Sequence, residues 1–542
     1  MKQQQAPTIY QRRIVIGAAL CVCAFALVGV RLVDVTLFKA RGVASFAGRE
    51  AAARADLVDR NGELLARDLP VMDLYARPHV FADKDEAAHD LADATGASYD
   101  RLVKGFTNAK SPYVLVARQL SPDVQDKVMH LGLPGLEFEP DTKRYYPHGR
   151  TTAQVLGVTD PDGNGQSGLE RGLDTHLREA HAAPVVTSID MRVQYILSAE
   201  VERARQVFKA IKAGGIVMNV NTGEVVAMVS SPDFDPNYRH FTGDDSDHNI
   251  MAADRYELGS VFKVLSFALA MEDHTTTPDE VFRIGNGLKI GKYTIHEAEA
   301  MPATYTAREI LAHSSNIGTA QIALRSGGVR QRAFLDSLGL LGMIHSELPE
   351  RARPLFPPKA NWGTIETATI GFGHGVAVAP LAYVAAAAVV VNGGRRIQPT
   401  FLLHPQDARG EQVLKPETSA KMRELLRFVV TNGTGRKADI PGYEVGGKTG
   451  SAEKPRDDGH GYQHGVLVTS FLAAFPIENP RYIVFVLLDT PHGAAESGGS
   501  RLAGLTAAPL AGRVISRIAP ILGVPQKPLT VAANGTPKSG TP

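Results

Sequence analysis

Gly259-Ser260-Val-Phe-Lys263-Val-Leu-Ser-Phe-Ala-Leu-Ala270 is the stretch on which the reading of this chain turns. Gly259 breaks the backbone and Ser260 opens a helix. Val261, Phe262, Val264, Leu265, Phe267, Ala268 and Leu269 make that helix apolar nearly all round. Such a helix belongs in the middle of a domain. Ser260 and Lys263 stand at i and i+3, project from one face, and let the amine reach the hydroxyl. Burial disfavours the charged amine and lowers its pKa, which suits Lys263 to take the serine proton. The opening N–H groups of the helix favour negative charge at Ser260. The bland alternative is a Ser capping a core helix with a snorkelling Lys, and the same spacing recurs at Ser451-Ala-Glu-Lys454.

Two further motifs follow in order. Thr306-Ala-Arg-Glu309 is a capping box, which predicts a helix that carries Ser314-Ser315-Asn316 near its middle. There Ser314 would relay a proton and Asn316 would orient substrate amides; a solvated polar stripe is the competing reading. Lys448-Thr449-Gly450, between Gly446-Gly447 and Ser451, predicts a strand that a substrate or another backbone approaches closely. Lys448 would offer a cation to a substrate carboxylate and help depress the pKa of Lys263. Thr449 would hydrogen-bond that carboxylate, and the N–H groups of Ser451 and Ser260 would form an oxyanion hole. The letters Gly442-x4-Gly447-Lys448-Thr449 also fit a phosphate-binding loop. Context argues against it, because no strand precedes Gly442 and no helix follows Thr449.

The rest of the chain sets the frame. Its 542 residues are enough for two or more domains. A hydrophobic content of 44% and a charged content of 21% exclude wholesale disorder, a fibrous repeat or a polytopic membrane protein. The net charge of +1 gives no reason to expect a nucleic-acid partner. The 52 glycines and 33 prolines suit a mixed α/β chain. Cys21 and Cys23 are the only cysteines, so neither a disulfide framework nor a Cys-based metal site is available. His248, His313, His374, His460 and His464 lack ligand spacing, apart from His460-x3-His464 in a glycine-rich loop. No metal or other cofactor is expected.

Residues 14–30 carry no charge, follow Arg12 and Arg13, and precede no small-residue cleavage site. They predict an uncleaved anchor over 14–33, with 1–13 cytoplasmic and the remainder exported. Residues 34–185 read as a loop-rich module. Residues 186–523 read as alternating strands and helices, including a helix over 191–212, paired strands over 215–220 and 225–229, and a buried helix within 376–391. Residues 524–542 read as a disordered tail.

Ser260-x-x-Lys263, Ser314-x-Asn316 and Lys448-Thr449-Gly450, in that order, form the set shared by penicillin-binding proteins and serine β-lactamases. The chain resembles a class B penicillin-binding protein of the FtsI type. Arg54-Ala-Asp-Leu-Val-Asp-Arg-Asn-Gly62, Arg144-Tyr-Tyr-Pro147 and Gly168-Leu-Glu170 are similar to the motifs of that family's pedestal, or dimerisation-type, domain. Thr187-Ser-Ile-Asp190, Pro236-Asn237, Gly371-Phe-Gly-His-Gly375 and Gly433-Thr-Gly435 match its catalytic domain. Ala55, Leu258 and Ser451 depart from the pattern without touching a reactive group.

The resemblance implies an α/β (α+β) fold: a transpeptidase domain with a helix-flanked antiparallel sheet, behind a pedestal and one transmembrane helix. It implies a serine acyl-enzyme at Ser260 that cross-links peptidoglycan stem peptides in septal wall synthesis and is acylated by β-lactams. It places the chain in the inner (plasma) membrane with a periplasmic catalytic domain. The implied partners are an FtsW-type glycosyltransferase and other divisome proteins. An elongation-type transpeptidase, a D,D-carboxypeptidase, a β-lactamase and an inactive divisome scaffold are the rival readings. Asn316 favours the division type over the elongation type.

Overall fold

The computed structural model describes residues 9–33, 54–108, 112–179, 183–238, 247–404, 410–456 and 461–528. The expected segments 1–8 and 34–53, His460 and residues 529–542 lie outside the described residues. Two compact units divide the chain: residues 1–53 with 70–143, and residues 54–69 with 144–542.

In the first unit, Ile9–Val33 is a single helix of 25 residues. Its side chains are described for residues 16–26, 28 and 29; Ile16, Leu20, Val22, Phe25 and Val28 are all exposed. Among the described residues no helix is long and apolar enough to cross a membrane. Helices Lys84–Thr95, Tyr99–Thr107 and Pro122–His130 pack with strand Val114–Leu120 around Leu74, Leu91, Leu102, Phe106 and Val116. Asp83 caps the first of these helices by accepting from the Asp85 and Glu86 N–H groups.

The second unit is built on a five-stranded antiparallel sheet. Its order is Gly446–Pro455, Tyr462–Phe475, Tyr482–Asp489, Lys212–Asn219, Val225–Ser231. The middle strand, Tyr-Ile-Val-Phe-Val-Leu-Leu-Asp, is buried along its whole length. Period-2 alternation splits it: Ile483, Phe485 and Leu487 face one core, while Val484, Val486 and Leu488 face the other. A strand that is apolar on both faces needs helices on both sides. Met191–Val207 and Ala507–Ile521 cover one face; Lys263–Glu272, Pro380–Val391 and Pro416–Asn432 belong to the core on the other. Pro380 stands in the first turn of its helix, where its missing N–H costs nothing, and all twelve residues from Pro380 to Val391 are buried.

The 34–185 stretch is split between the two units. Residues 54–69 and 144–185 cluster with the catalytic-motif unit because charge and backbone tie them there. Leu57–Val58 pairs in parallel with Val185–Val186. Asp59 accepts from the N–H groups of Asn61, Glu63 and Met191 at 2.7, 2.8 and 3.1 Å. Glu170, fully buried, accepts from Arg54 Nε at 3.1 Å and Arg144 Nε at 2.7 Å. Arg144 reaches Asp68 at 3.2 Å, and Arg54 reaches Asp174 at 2.5 Å. Tyr146 exchanges two 2.9 Å hydrogen bonds with the Asn237 side chain.

Of the expected tail, residues 524–528 are described: Val524 is buried, and Lys527, four residues beyond 523, pairs with Glu444 and Glu478.

Removing Glu170 takes one carboxylate from each of two buried guanidinium groups and, among the described residues, leaves Arg54 only Asp174 and Arg144 only Asp68. Glu170→Ala is expected to destabilise the second unit by roughly 3–5 kcal/mol, read as the loss in chemical denaturation. A change within experimental error would remove the network from the list of what holds these segments together.

Candidate active site

Ser260 lies in a 3-10 turn, Gly259–Phe262, which runs directly into helix Lys263–Glu272. The residues from Lys263 to Met271 are all buried, as the all-round apolar pattern predicts. Lys263 is therefore carried into the core by its neighbours.

The serine motif corrects the sequence reading. The capping box at Thr306 and Glu309 forms, but its helix, Ala307–His313, ends before the motif. Ser314 stands at the break with φ 63°, in the left-handed region, and Ser315 caps a second helix, Asn316–Ser326, by accepting from the Gly318 N–H. The Ser-Ser-Asn stretch is a turn between two helices. The break aims both the Ser314 carbonyl and its hydroxyl at one point.

That point is the Lys263 amine. Nζ donates to Ser314 O at 2.5 Å, Asn316 Oδ1 at 2.9 Å and Ser314 Oγ at 3.1 Å. From the sheet, Lys448 Nζ reaches the same Ser314 Oγ at 3.0 Å, with further bonds to Thr449 O and Thr449 Oγ1 at 3.0 and 3.3 Å. Both lysines are fully buried. Burial lowers the Lys263 pKa to about 7, opposed by the Glu297 carboxylate. Lys448 is pushed well below the ordinary lysine value by burial and then by Lys263. Desolvation is the first cause of the low Lys263 value, and the two amines, meeting at Ser314 Oγ, disfavour each other's protons.

Lys448, Thr449, Gly450 and Ser451 lie on edge strand Gly446–Pro455. The phosphate-loop alternative fails here, because Lys448 sits inside a strand and not at a helix start. Gly450 explains itself by contact: a Cβ there would stand 2.6 Å from the Leu258 carbonyl oxygen and 2.6 Å from Ser470 Oγ. The strand can lie against the Ser260 segment only without a side chain at 450. Thr449 Oγ1 bonds Thr434 Oγ1 at 2.7 Å, and Ser451 Oγ accepts from Ala503 N at 3.1 Å.

A cavity of about 390 Å³ brings Ser260, Ser314, Asn316, His374, Thr449 and Ser451 together. Lys263 and Lys448 stand behind this lining, each bonded to Ser314, and Gly450 is covered by the Ser260 segment. Ser260 Oγ is not among the hydrogen-bond partners of Lys263 Nζ; the link between the motifs runs through Ser314.

Two residues enter that lie outside the three catalytic motifs. His374 projects from a loop stitched to the Ser260 segment: Tyr256 and Val378 exchange backbone bonds at 3.0 and 3.1 Å, and the Gly375 N–H meets Glu257 Oε1 at 3.2 Å. Burial and the Lys263 charge lower its pKa to about 4, so the imidazole is neutral at pH 7. Glu297 accepts from Ser315 and from the start of helix Asn316–Ser326. It comes from an irregular stretch 17 residues before Ser314, where no periodicity marks it. Among the described residues no group of three His, Cys, Asp or Glu side chains is placed to hold a metal.

Gly450→Ala is expected to cost about 1–3 kcal/mol of stability by forcing strand and turn apart, measured by urea unfolding beside the unchanged protein. An unaltered midpoint would mean that the two segments have room to separate.

The chain is similar to known proteins. Residues 213–512 match the model for the penicillin binding protein transpeptidase domain, and residues 49–188 match that for the penicillin-binding protein dimerisation domain. A probable peptidoglycan D,D-transpeptidase FtsI of Caulobacter vibrioides is 41% identical over 503 residues, covering 90% of this chain and 85% of that one. A probable peptidoglycan D,D-transpeptidase PenA of Neisseria gonorrhoeae is 30% identical over 517 residues, covering 90% and 87%. The crystal structure of apo penicillin binding protein 3 from Mycobacterium tuberculosis superposes with a TM-score of 0.68 at 25% identity, over 88% of this chain and 98% of that one. The same protein complexed with aztreonam gives 0.68 at 24% identity, over the same shares. With both domain models matched and a 41% identical relative aligned over nine-tenths of this chain, the chain belongs to the penicillin-binding protein transpeptidase family.

Proposed function

We propose that the chain is an FtsI-type peptidoglycan D,D-transpeptidase of septal wall synthesis, with Ser260 as nucleophile. The observation that carries the reading is the pair of buried amines meeting at one hydroxyl, Ser314 Oγ, on the wall of the cavity that holds Ser260.

The reaction runs as two acyl transfers. Lys263, about half neutral near pH 7 and more so above it, removes the Ser260 proton, and Oγ attacks the penultimate D-Ala carbonyl of a stem peptide. The N–H groups of Ser260 and Ser451 receive the oxyanion. Ser314 passes a proton from the lysines to the departing amine, so D-Ala leaves and an ester remains. Asn316 orients the substrate amide, and Thr449 beside Gly450 takes the terminal carboxylate with Lys448 behind it. An amine of a second stem then attacks the ester, gives up its proton along the same path, and frees Ser260. β-Lactams enter at the first step and leave the serine acylated. Hydrolysis by water in place of the amine would make the enzyme a D,D-carboxypeptidase.

The cellular setting belongs to the same proposal. Residues 14–33 anchor the chain once in the plasma membrane, with 1–13 cytoplasmic; the exposed apolar side chains from Ile16 to Val28 support a lipid environment. Residues 34–185 form the pedestal and 186–523 the periplasmic transpeptidase domain. An FtsW-type glycosyltransferase and other divisome proteins would supply and place the strands.

Intact mass after incubation with benzylpenicillin tests the chemistry, on the full chain in detergent and on Ser260→Ala. A stable adduct on the unmodified chain alone is expected; modification of both, or of neither, would overturn the assignment of Ser260. The acylation rate should climb as pH rises through about 7, because the base works only when Lys263 has lost its proton. A rate independent of pH from 5 to 9 would remove Lys263 from that role.

A further inference from the structure

Glu297 belongs to none of the three motifs and is not part of the cavity lining, yet it holds the turn on which two motif residues sit. Its Oε1 accepts from Ser315 Oγ at 2.5 Å and from Ile317 N at 3.1 Å, and its Oε2 accepts from Asn316 N at 2.7 Å. The backbone of its neighbour joins in, as Asn316 Nδ2 donates to His296 O at 3.5 Å. The first N–H groups of a helix have no partner within it and carry the positive end of its dipole. Here Asn316 and Ile317 give theirs to a carboxylate from another segment, while Gly318 gives its own to Ser315 Oγ at 2.9 Å. The residue just before this cap, Ser314, holds a left-handed φ of 63°. A serine pays for that conformation only when its surroundings fix it.

We infer that Glu297 is a positioning residue of the site: its carboxylate clamps the Ser314–Asn316 turn in register with Lys263 and supplies the negative charge that acts on that buried amine. The inference rests on the transpeptidase reading. The groups acting on Lys263 come from four places. Ser314 and Asn316 bond it from the turn, Lys448 faces it across Ser314 from the edge strand, and His374 feels its charge from the loop after helix Thr364–Gly371. Glu297 is the carboxylate among them, and it raises the Lys263 pKa against burial. The same segment continues into the cavity wall at Ala298, Glu299 and Met301, so the clamp and the substrate-facing surface are one piece of chain.

The two roles separate by experiment. Glu297→Gln keeps the shape, loses the charge and weakens the clamp. Its second-order acylation by benzylpenicillin should fall about tenfold at pH 8, the scale of a lost charged hydrogen bond. The acid limb of its pH–rate profile should move to lower pH, because the carboxylate that held the proton on Lys263 is gone. Glu297→Asp retains the charge, and its limb should stay near that of the unmodified chain. Should Glu297→Gln fail to fold, Ser315→Ala removes one clamp bond and keeps the carboxylate; it should be slower with an unmoved limb. A uniform loss of rate with no limb shift in Glu297→Gln, or rates equal to the unmodified chain, would overturn the inference. Absence of acylation in the unmodified chain would overturn the transpeptidase reading itself, and is told apart by that control.

Discussion

Two fully buried lysine amines within hydrogen-bonding distance of one serine hydroxyl set the terms for the second unit. Water is excluded from both, so each is pushed toward its neutral form, and a proton on one disfavours a proton on the other. Such a pair is tolerated only where every remaining proton finds an acceptor. Ser314 O, Asn316 Oδ1 and Thr449 O are those acceptors, and they come from a helix break and a strand edge that nothing else in the sequence requires to meet. The fold brings them together by making the intervening scaffold stiff: a central strand buried on both faces, and a helix whose residues from Lys263 to Met271 are all inside.

Position on the sheet matters as much as burial. Strand Gly446–Pro455 is the outermost of five, so one side bonds Tyr462–Phe475 and the other is free to border the cavity. An open strand edge is an aggregation hazard elsewhere. Here the Ser260 segment covers part of it, held so close at Gly450 that a methyl group would collide with the Leu258 carbonyl. The uncovered part carries Thr449 and Ser451 onto the cavity wall.

Much of this was legible in the sequence. The apolar ring around Lys263, the capping box at Thr306, the hairpin of Lys212–Asn219 with Val225–Ser231, and the buried run ending at Val391 are local patterns, and local physics decides them. What escaped depends on tertiary contact. No propensity distinguishes a helix that continues through Ser314 from one that stops there; the stop is bought by Lys263 and Glu297, 51 residues before Ser314 in one case and on an irregular loop in the other. His374 read as one scattered histidine because the loop that brings it to the cavity is set by backbone bonds to Tyr256. The tie between residues 54–69 and 144–185 escaped for a similar reason: Glu170 binds Arg54 across 116 residues, which no window along the chain can reveal.

The place of Lys448 changes how recognition and chemistry are coupled. Its amine has no exposure, and its bonds go to Ser314 and Thr449, so in the proposed reaction an incoming carboxylate would meet the hydroxyls of Thr449 and Thr434 first. In the proposed reaction that anion favours the charged form of the lysine behind them. A proton drawn onto Lys448 is a proton made unfavourable on Lys263, since each amine depresses its neighbour across Ser314. Binding a substrate that ends in a carboxylate would thus help to create the neutral base that attacks it. A ligand without that charge would fill the same cavity and leave the proton where it was, which makes the carboxylate a part of the catalytic apparatus and not only a handle.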